Sequence, residues 1–330
     1  MIFYTLQKVG QLIMGYSILH IEENGLKIVL LNDDKSGTRA AVLPQMGALL
    51  HGFSVQLADG PINVVDHYSS WKEAEEKIDK TFKSARLSPF TCRVAEGKYI
   101  FKGREYQFNK KFTDGSAIHG LLYNKPFQII SSAADMDSAS LTMQYDYKKD
   151  DPGYPFQYRS EITYTLSAEN LLEIRTRISN LSDGPIPIAD GWHPYFILGG
   201  QLDDWLMHFN AEALVRFDDK LIPTGELETF DEFKEPRRIG PAFLDNCFLL
   251  DISSGLPACE LFNPENKIKI SFYPESSYPY LQIYTPEGRR SIAIENMSAA
   301  PDCFNNNMGL LLLEPGNSQS FTVFYQLTIV

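Results

Sequence analysis

The 330-residue sequence predicts an all-β protein, a large antiparallel β sandwich with few short helices, and three observations predict it. Apolar and polar residues alternate with period two through several long segments, as a strand with one wet face requires. The composition holds 21 Phe and 17 Tyr, residues that favour strands. One stretch alone reads as helix, and no self-similarity at a period of about 20 to 50 residues marks a propeller or solenoid. No linker-like tract divides the sequence, so residues 1–330 read as one domain.

Residues 158–166 set Tyr158, Ile162, Tyr164 and Leu166 against Arg159, Glu161, Thr163 and Thr165. The turn Ser167-Ala168-Glu169-Asn170 follows, and then Leu172, Ile174 and Ile178 alternate with Glu173, Arg175 and Arg177, so the two runs predict a long antiparallel hairpin. Residues 320–330 repeat the pattern with Phe321, Val323, Tyr325, Leu327 and Ile329. Shorter strands are expected at 16–21, 27–31, 48–55, 127–131, 141–147, 267–272 and 281–284, separated by Gly, Pro, Asn and Asp clusters. The helical stretch is 70–83 (SWKEAEEKIDKTFK), opened by a capping serine and carrying Glu and Lys one turn apart.

Hydrophobic residues make up 44% and charged residues 22% of the sequence, the balance of a globular chain with a substantial core. A formal charge of −12 argues against backbone-contact binding of nucleic acid and against an anionic membrane surface, and leaves a neutral small molecule as the expected partner. Nothing in the sequence fixes an oligomeric state. The cysteines Cys92, Cys247, Cys259 and Cys303 show no CxxC spacing, and neither His-x-His nor HExxH occurs, so no metal is expected. The N-terminal apolar run is interrupted by Gln7, Lys8 and Gln11 and lacks a basic start, which reads as no leader and a cytoplasmic protein. No stretch approaches the roughly 20 apolar residues that cross a bilayer.

Six side chains stand out as site candidates. In IADGWHPYFIL, an extended backbone puts His193 and Tyr195 on one face and Trp192, Pro194 and Phe196 on the other. The plainer account of His193 is a core histidine bonded to a carbonyl. His119 precedes Gly120 after the turn-like Thr113-Asp114-Gly115-Ser116, which places it at a strand end; the plainer account is a surface histidine. Arg93 interrupts the run Pro89 to Ala95 as either an ion-pair partner or a multi-donor clamp for substrate oxygens. Glu295, in SIAIENM, shares a strand face with Ala293, opposite Ile292 and Ile294, and is expected at a strand end on a loop-rich rim. A carboxylate there must face water, a partner or a ligand, a salt bridge being the plain alternative. Asp245 is likewise polar within the apolar run Phe243 to Phe248.

These segments together resemble the aldose 1-epimerases, or galactose mutarotases. HPYF around His193 resembles that family's catalytic-histidine segment, Ala293 to Asn305 its catalytic-glutamate segment, and Ile118-His119-Gly120 its substrate-binding histidine-glycine pair. Cys92-Arg93-Val94 with Gly97 and the run Lys102 to Tyr106, Leu244-Asp245-Asn246, and Leu312 to Gly316 resemble its binding-arginine strand, binding-aspartate segment and final turn. The matches keep the family's order from about Met46 to the C-terminus. The sequence departs from the family's best-known members at Leu121, where they have a second glycine, at Ile197, where they have asparagine, and in the spacing of Glu295 to Pro301-Asp302. It is similar to a bacterial branch that shares HPYF, although that branch usually has proline where Asn296 stands.

The resemblance implies a galactose mutarotase-like supersandwich and cofactor-free interconversion of the α and β anomers of a free aldohexose. Glu295 is then the general base and His193 the general acid, with reference pKa values of about 4.3 and 6.5 that make one readily anionic and the other tunable to imidazolium near neutrality. Arg93, His119 and Asp245 are expected to hold sugar hydroxyls, and Tyr195 an apolar ring face. Two alternatives stand beside this reading: a non-catalytic carbohydrate-binding sandwich, and a hexose-6-phosphate epimerase, which needs cations for phosphate, with Arg237-Arg238 and Arg289-Arg290 as the adjacent pairs. The helical stretch 70–83 reads as an insertion, and the sequence does not fix whether it shapes the pocket.

Overall fold

A computed structural model describes residues 15–330, and the expectation of no N-terminal leader falls mostly on residues outside that range. Among the described residues two large antiparallel sheets dominate. The nine-stranded sheet runs, neighbour to neighbour, through Gln128–Ala134, Ser138–Lys148, Gln157–Ser167, Leu171–Asn180, Ser318–Ile329, Ile268–Pro274, Cys259–Asn263, Leu206–Phe209 and Arg237–Arg238. The eight-stranded sheet runs through Pro223–Glu228, Ala211–Phe217, Asp245–Leu250, Tyr280–Tyr284, Ile292–Met297, Gly191–His193 and Ala85–Leu87, with Tyr195–Phe196 also paired to Ile292–Met297. A five-stranded meander, from Tyr16–Glu23 to Gly60–Asn63, adds a third layer.

The period-two reading holds where one face is wet. In Gln157–Ser167 burial alternates residue by residue, with Tyr158, Ile162, Tyr164 and Leu166 inside, and the predicted hairpin pairs Leu166 with Leu172. Ser318–Ile329 buries Phe321, Val323, Tyr325 and Leu327, but the expected inward Ile329 is 49% exposed because the core ends before the last residues of the strand. Aromatic contacts weld the two large sheets: Phe196 meets Phe272 and Tyr325 edge-on at 4.9 and 5.7 Å, and Trp192 meets Tyr164 at 6.0 Å. Such pairs prefer edge contacts because a ring's positive edge faces another's negative face.

Helix α1 spans Trp71–Thr81; Ser70 Oγ accepts the Glu73 N–H at 3.1 Å, and Lys77 pairs with Glu73 at 2.8 Å. It buries Ala74 and Ile78 and ends at Phe82. A second helix, α2, Cys303–Asn306, corrects the expectation of a single helical stretch. At four residues it is too short to carry a periodic signal. No helix among the described residues is long and apolar enough to cross a membrane.

Candidate active site

Antiparallel register builds the site. Gly191 pairs with Met297 and Tyr195 with Ala293, so the same register sets His193 opposite Glu295. Pro194 lies between the two pairings and has no N–H to give the ladder. On its other side Glu295 is paired with Gln282, and Gln282 with Cys247. Two residues along, the next row reads Asp245, Tyr284, Ala293 and Tyr195. Strand residues two apart share a face, so both rows point the same way, and Tyr195 and Tyr284 close over the small, buried Ala293 with their ring centres 6.4 Å apart. Ile292 and Ile294 fill the opposite face and belong to the sandwich core.

Side chains of these two rows, Glu295, His193, Gln282, Asp245, Tyr284 and Tyr195, form the floor of a cavity of about 260 Å³. Ligand pockets commonly span about 300–1,000 Å³, so this one lies at the small end. All six candidates, Glu295, His193, Arg93, His119, Asp245 and Tyr195, line it. His193 Nε2 lies 3.2 Å from Glu295 Oε1, both side chains almost fully buried. Glu295 is therefore not on a loop-rich rim: it is the fourth residue of a six-residue interior strand, which continues through Asn296 and Met297.

The walls come from elsewhere in the chain. The surface-histidine account of His119 is overturned: the residue is buried, its ring packed 4.5 Å from Phe82 and edge-on to His193 at 4.8 Å. It follows the short strand Ala117–Ile118, as expected of a strand end, in a left-handed conformation at φ 58°. Gly120 must be glycine, since its φ is +72° and a Cβ would fall 2.3 Å from the Ser88 carbonyl oxygen. Arg93 is an ion-pair partner, its Nη1 bonding Asp114 Oδ2 at 2.5 Å, and it also lines the cavity. The chain beyond Glu295 clasps the Arg93 strand: the Asp302 N–H donates to the Arg93 carbonyl at 2.7 Å, and Asp302 Oδ1 accepts the Ala95 N–H at 2.8 Å.

Gln282, which the sequence reading passed over, donates to Asp245 Oδ1 at 2.9 Å and shares the cavity. Its signal was an amide inside the apolar run Tyr280-Leu281-Gln282-Ile283-Tyr284, the same signal used for Asp245. The last turn of α1 and its cap bring Lys80, Thr81 and Phe82 to the cavity wall. The adjacent arginines do not reach it: Arg289 bonds Asp203 and the carbonyls of Ala242 and Gly240, Arg238 pairs with Asp204, and Arg237 with Glu232.

Burial shifts both groups of the pair toward their uncharged forms. It pushes the Glu295 carboxyl well above the usual range, helped by the nearby Asp245, and lowers His193 to about 4. Burial thus works against both expected charges, the anionic glutamate and the imidazolium alike. Removing water penalises whichever form is charged.

Fold and site define a class: a large antiparallel sandwich with a buried carboxyl–imidazole pair at a cavity on one sheet face, ringed by hydrogen-bonding side chains. Residues 28–326 match the family model described as Aldose 1-epimerase, and the chain belongs to that family. The uncharacterized protein YihR of Escherichia coli (strain K12) is 29% identical over 238 residues, 70% of this chain and 74% of its own. The maltose epimerase of Levilactobacillus brevis is 24% identical over 334 residues, covering 92% of this chain and 94% of that protein. Among solved structures, a galactose mutarotase-like protein from Clostridium acetobutylicum aligns with a TM-score of 0.83 at 16% identity, over 96% of this chain and 99% of that one. At that identity the likeness carries the fold.

Proposed function

We propose that the protein is an aldose 1-epimerase that interconverts the α and β anomers of a free aldohexose by general acid/base ring opening, with Glu295 and His193 moving the protons. The observation that carries this is the 3.2 Å contact between the two groups on the floor of a small cavity. Opening the hemiacetal removes a proton from the C1 hydroxyl and adds one to the ring oxygen; the aldehyde carbon then rotates and closes on its other face. A pair sharing one proton does both at once. In this reading the pair carries one proton and His193 holds it in the sugar complex, because sugar hydroxyls and Arg93 replace the solvation that burial takes from the Glu295 carboxylate. Glu295 then takes the C1 proton while His193 gives its own to the ring oxygen, and closure runs the same transfers backwards, restoring the pair. Arg93, His119 and Asp245 hold hydroxyls, and Tyr195 offers a ring face. A sugar-binding module would need these partners but no buried proton pair.

The test is polarimetry on freshly dissolved α-glucose and α-galactose, with magnetisation-exchange NMR for a wider panel. Acceleration above the spontaneous rate is expected, and its absence across the panel would overturn the reading. A second reading, an anionic aldose such as a 6-phosphate, is favoured by Lys80, an exposed cation on the cavity wall with no ion-pair partner among the described residues. The panel therefore includes 6-phosphorylated sugars, and a preference for them selects this reading.

The pH profile follows from the one-proton pair. As pH falls through about 4, His193 gains a second proton and the pair loses its base. As pH rises past the elevated Glu295 range, the pair loses its only proton and its acid. Because kcat/KM reports the free enzyme, it should stay level from about pH 7 down to about pH 5. An acid limb near the ordinary imidazole value of about 6.5 would contradict the geometry of a desolvated pair.

A further inference from the structure

We propose that Cys92, His119 and Glu295 form a binding site for a borderline-soft divalent cation of the Zn²⁺ type, which blocks the cavity. Cys92 Sγ, a ring nitrogen of His119 and a carboxyl oxygen of Glu295 all lie within 4.8 Å of one another. Each residue is more than nine-tenths buried. His119 Nδ1 and Glu295 Oε2 have no hydrogen-bond partner among the described residues, so polar atoms are already stripped of water at the point where the three side chains converge.

Sulfur, imidazole nitrogen and carboxylate oxygen are the donors Zn²⁺ takes, at about 2.0–2.3 Å in a tetrahedron, which sets donor atoms about 3.5 Å apart. Closing from 4.8 Å at most asks for side-chain adjustment of about 1 Å and no refolding. The Cys92 thiol has little to give up, since its hydrogen bond goes to the Met297 thioether at 3.4 Å, a weak acceptor.

The backbone holds the donors in place. Cys92 and His119 are both non-glycine residues in the left-handed region, at φ 46° and 58°, and the His119 N–H donates to the Cys92 carbonyl at 2.7 Å. Strained conformations of this kind persist where surrounding structure over-determines them, and they cluster at ligand sites. On binding, the Cys92 thiol and the Glu295 carboxyl each release a proton to solvent, leaving a neutral thiolate–carboxylate–cation unit. The cation occupies Glu295 and His119, so it excludes a sugar held by the same side chains.

Co²⁺ titration of the purified, reduced protein tests this without any sugar, so its outcome is independent of the anomer-exchange reading. One equivalent of Co²⁺ should raise a thiolate-to-cobalt charge-transfer band that Zn²⁺ displaces and that is missing in both Cys92→Ser and Cys92→Ala. Circular dichroism confirms that each variant is folded. Affinity should fall by at least about tenfold in the variants, a loss that even an outer-shell partner of a metal can cause. No charge-transfer band in the wild type, or an equal band in both variants, would overturn the site. Where anomer exchange is catalysed, Zn²⁺ should inhibit it competitively with sugar; inhibition equally strong in Cys92→Ala would count against the proposal.

Discussion

Glu295→Gln lowers catalysed anomer exchange by about 10²- to 10⁴-fold, the span that positioned proton transfer supplies, and His193→Asn lowers it by a similar factor. Both replacements keep the hydrogen-bonding outline of the side chain and remove its ability to exchange a proton. Because the proposed ring opening needs both transfers from groups 3.2 Å apart, each is useless alone, so the double variant should be scarcely slower than either single one. Stability moves differently. Burial already drives Glu295 toward its uncharged form, so a neutral amide of the same shape should leave the unfolding midpoint unchanged or slightly raised. Polarimetry gives the rate and urea denaturation the stability. A variant that folds normally and exchanges anomers at the wild-type rate would remove that residue from the mechanism, and losses that multiply in the double variant would show that the two groups act separately.

Much of the frame was legible because it rests on local pattern. Alternation in residues 158–166 and 171–178 follows from one face of the sheet packing on the core, and the structure buries the expected side chains. The shared face of His193 and Tyr195 was legible for the same reason, since it needs only extended backbone. What was not legible depends on partners distant in sequence. His119 is buried by Phe82, at the end of α1, and by His193, and nothing in SAIHGLL announces either neighbour. Glu295 was expected at a rim because polar residues follow it, yet Asn296 is fully buried on the opposite face of the strand and the sheet continues past it. The charge states were unreadable for the same reason: desolvation depends on the whole surrounding shell, so a sequence supplies only the reference values. Ordered motif matches found all six side chains of the cavity that were singled out. Lys80 and Gln282 entered only with the register and the position of α1.

Asp190→Asn should lower the unfolding free energy by about 3–5 kcal/mol, the cost of removing one partner from a buried ion pair. Arg86 and Asp190 are both fully buried: Arg86 Nη2 donates to Asp190 Oδ2, and the Tyr278 hydroxyl donates to Asp190 Oδ1 at 2.6 Å. The guanidinium also lies over the Trp192 ring, 4.7 Å from its centre. Even beside that cation, burial lifts Asp190 to about 6, a measure of how much hydration the carboxylate gives up. An arginine cannot shed its charge, so asparagine leaves a buried cation whose Nε and Nη1 already lack partners among the described residues. Removing the arginine is milder, because the orphaned carboxyl takes up a proton. Arg86→Leu should therefore cost less than Asp190→Asn, and Arg86→Leu with Asp190→Leu less than the sum of the single changes. The position gives the pair its consequence for the site. Asp190 directly precedes Gly191–His193, Ser298 directly follows Ile292–Met297, and the two exchange hydrogen bonds: the Asp190 N–H donates to Ser298 Oγ at 2.9 Å, and the Ser298 N–H donates to the Asp190 carbonyl at 2.8 Å. The ion pair thus pins, from behind the sheet, the two strands whose register sets His193 against Glu295. Urea denaturation of the three variants decides it: a loss below about 1 kcal/mol for Asp190→Asn would mean that water or a rearranged Tyr278 satisfies Arg86, and that the pair does not anchor the register.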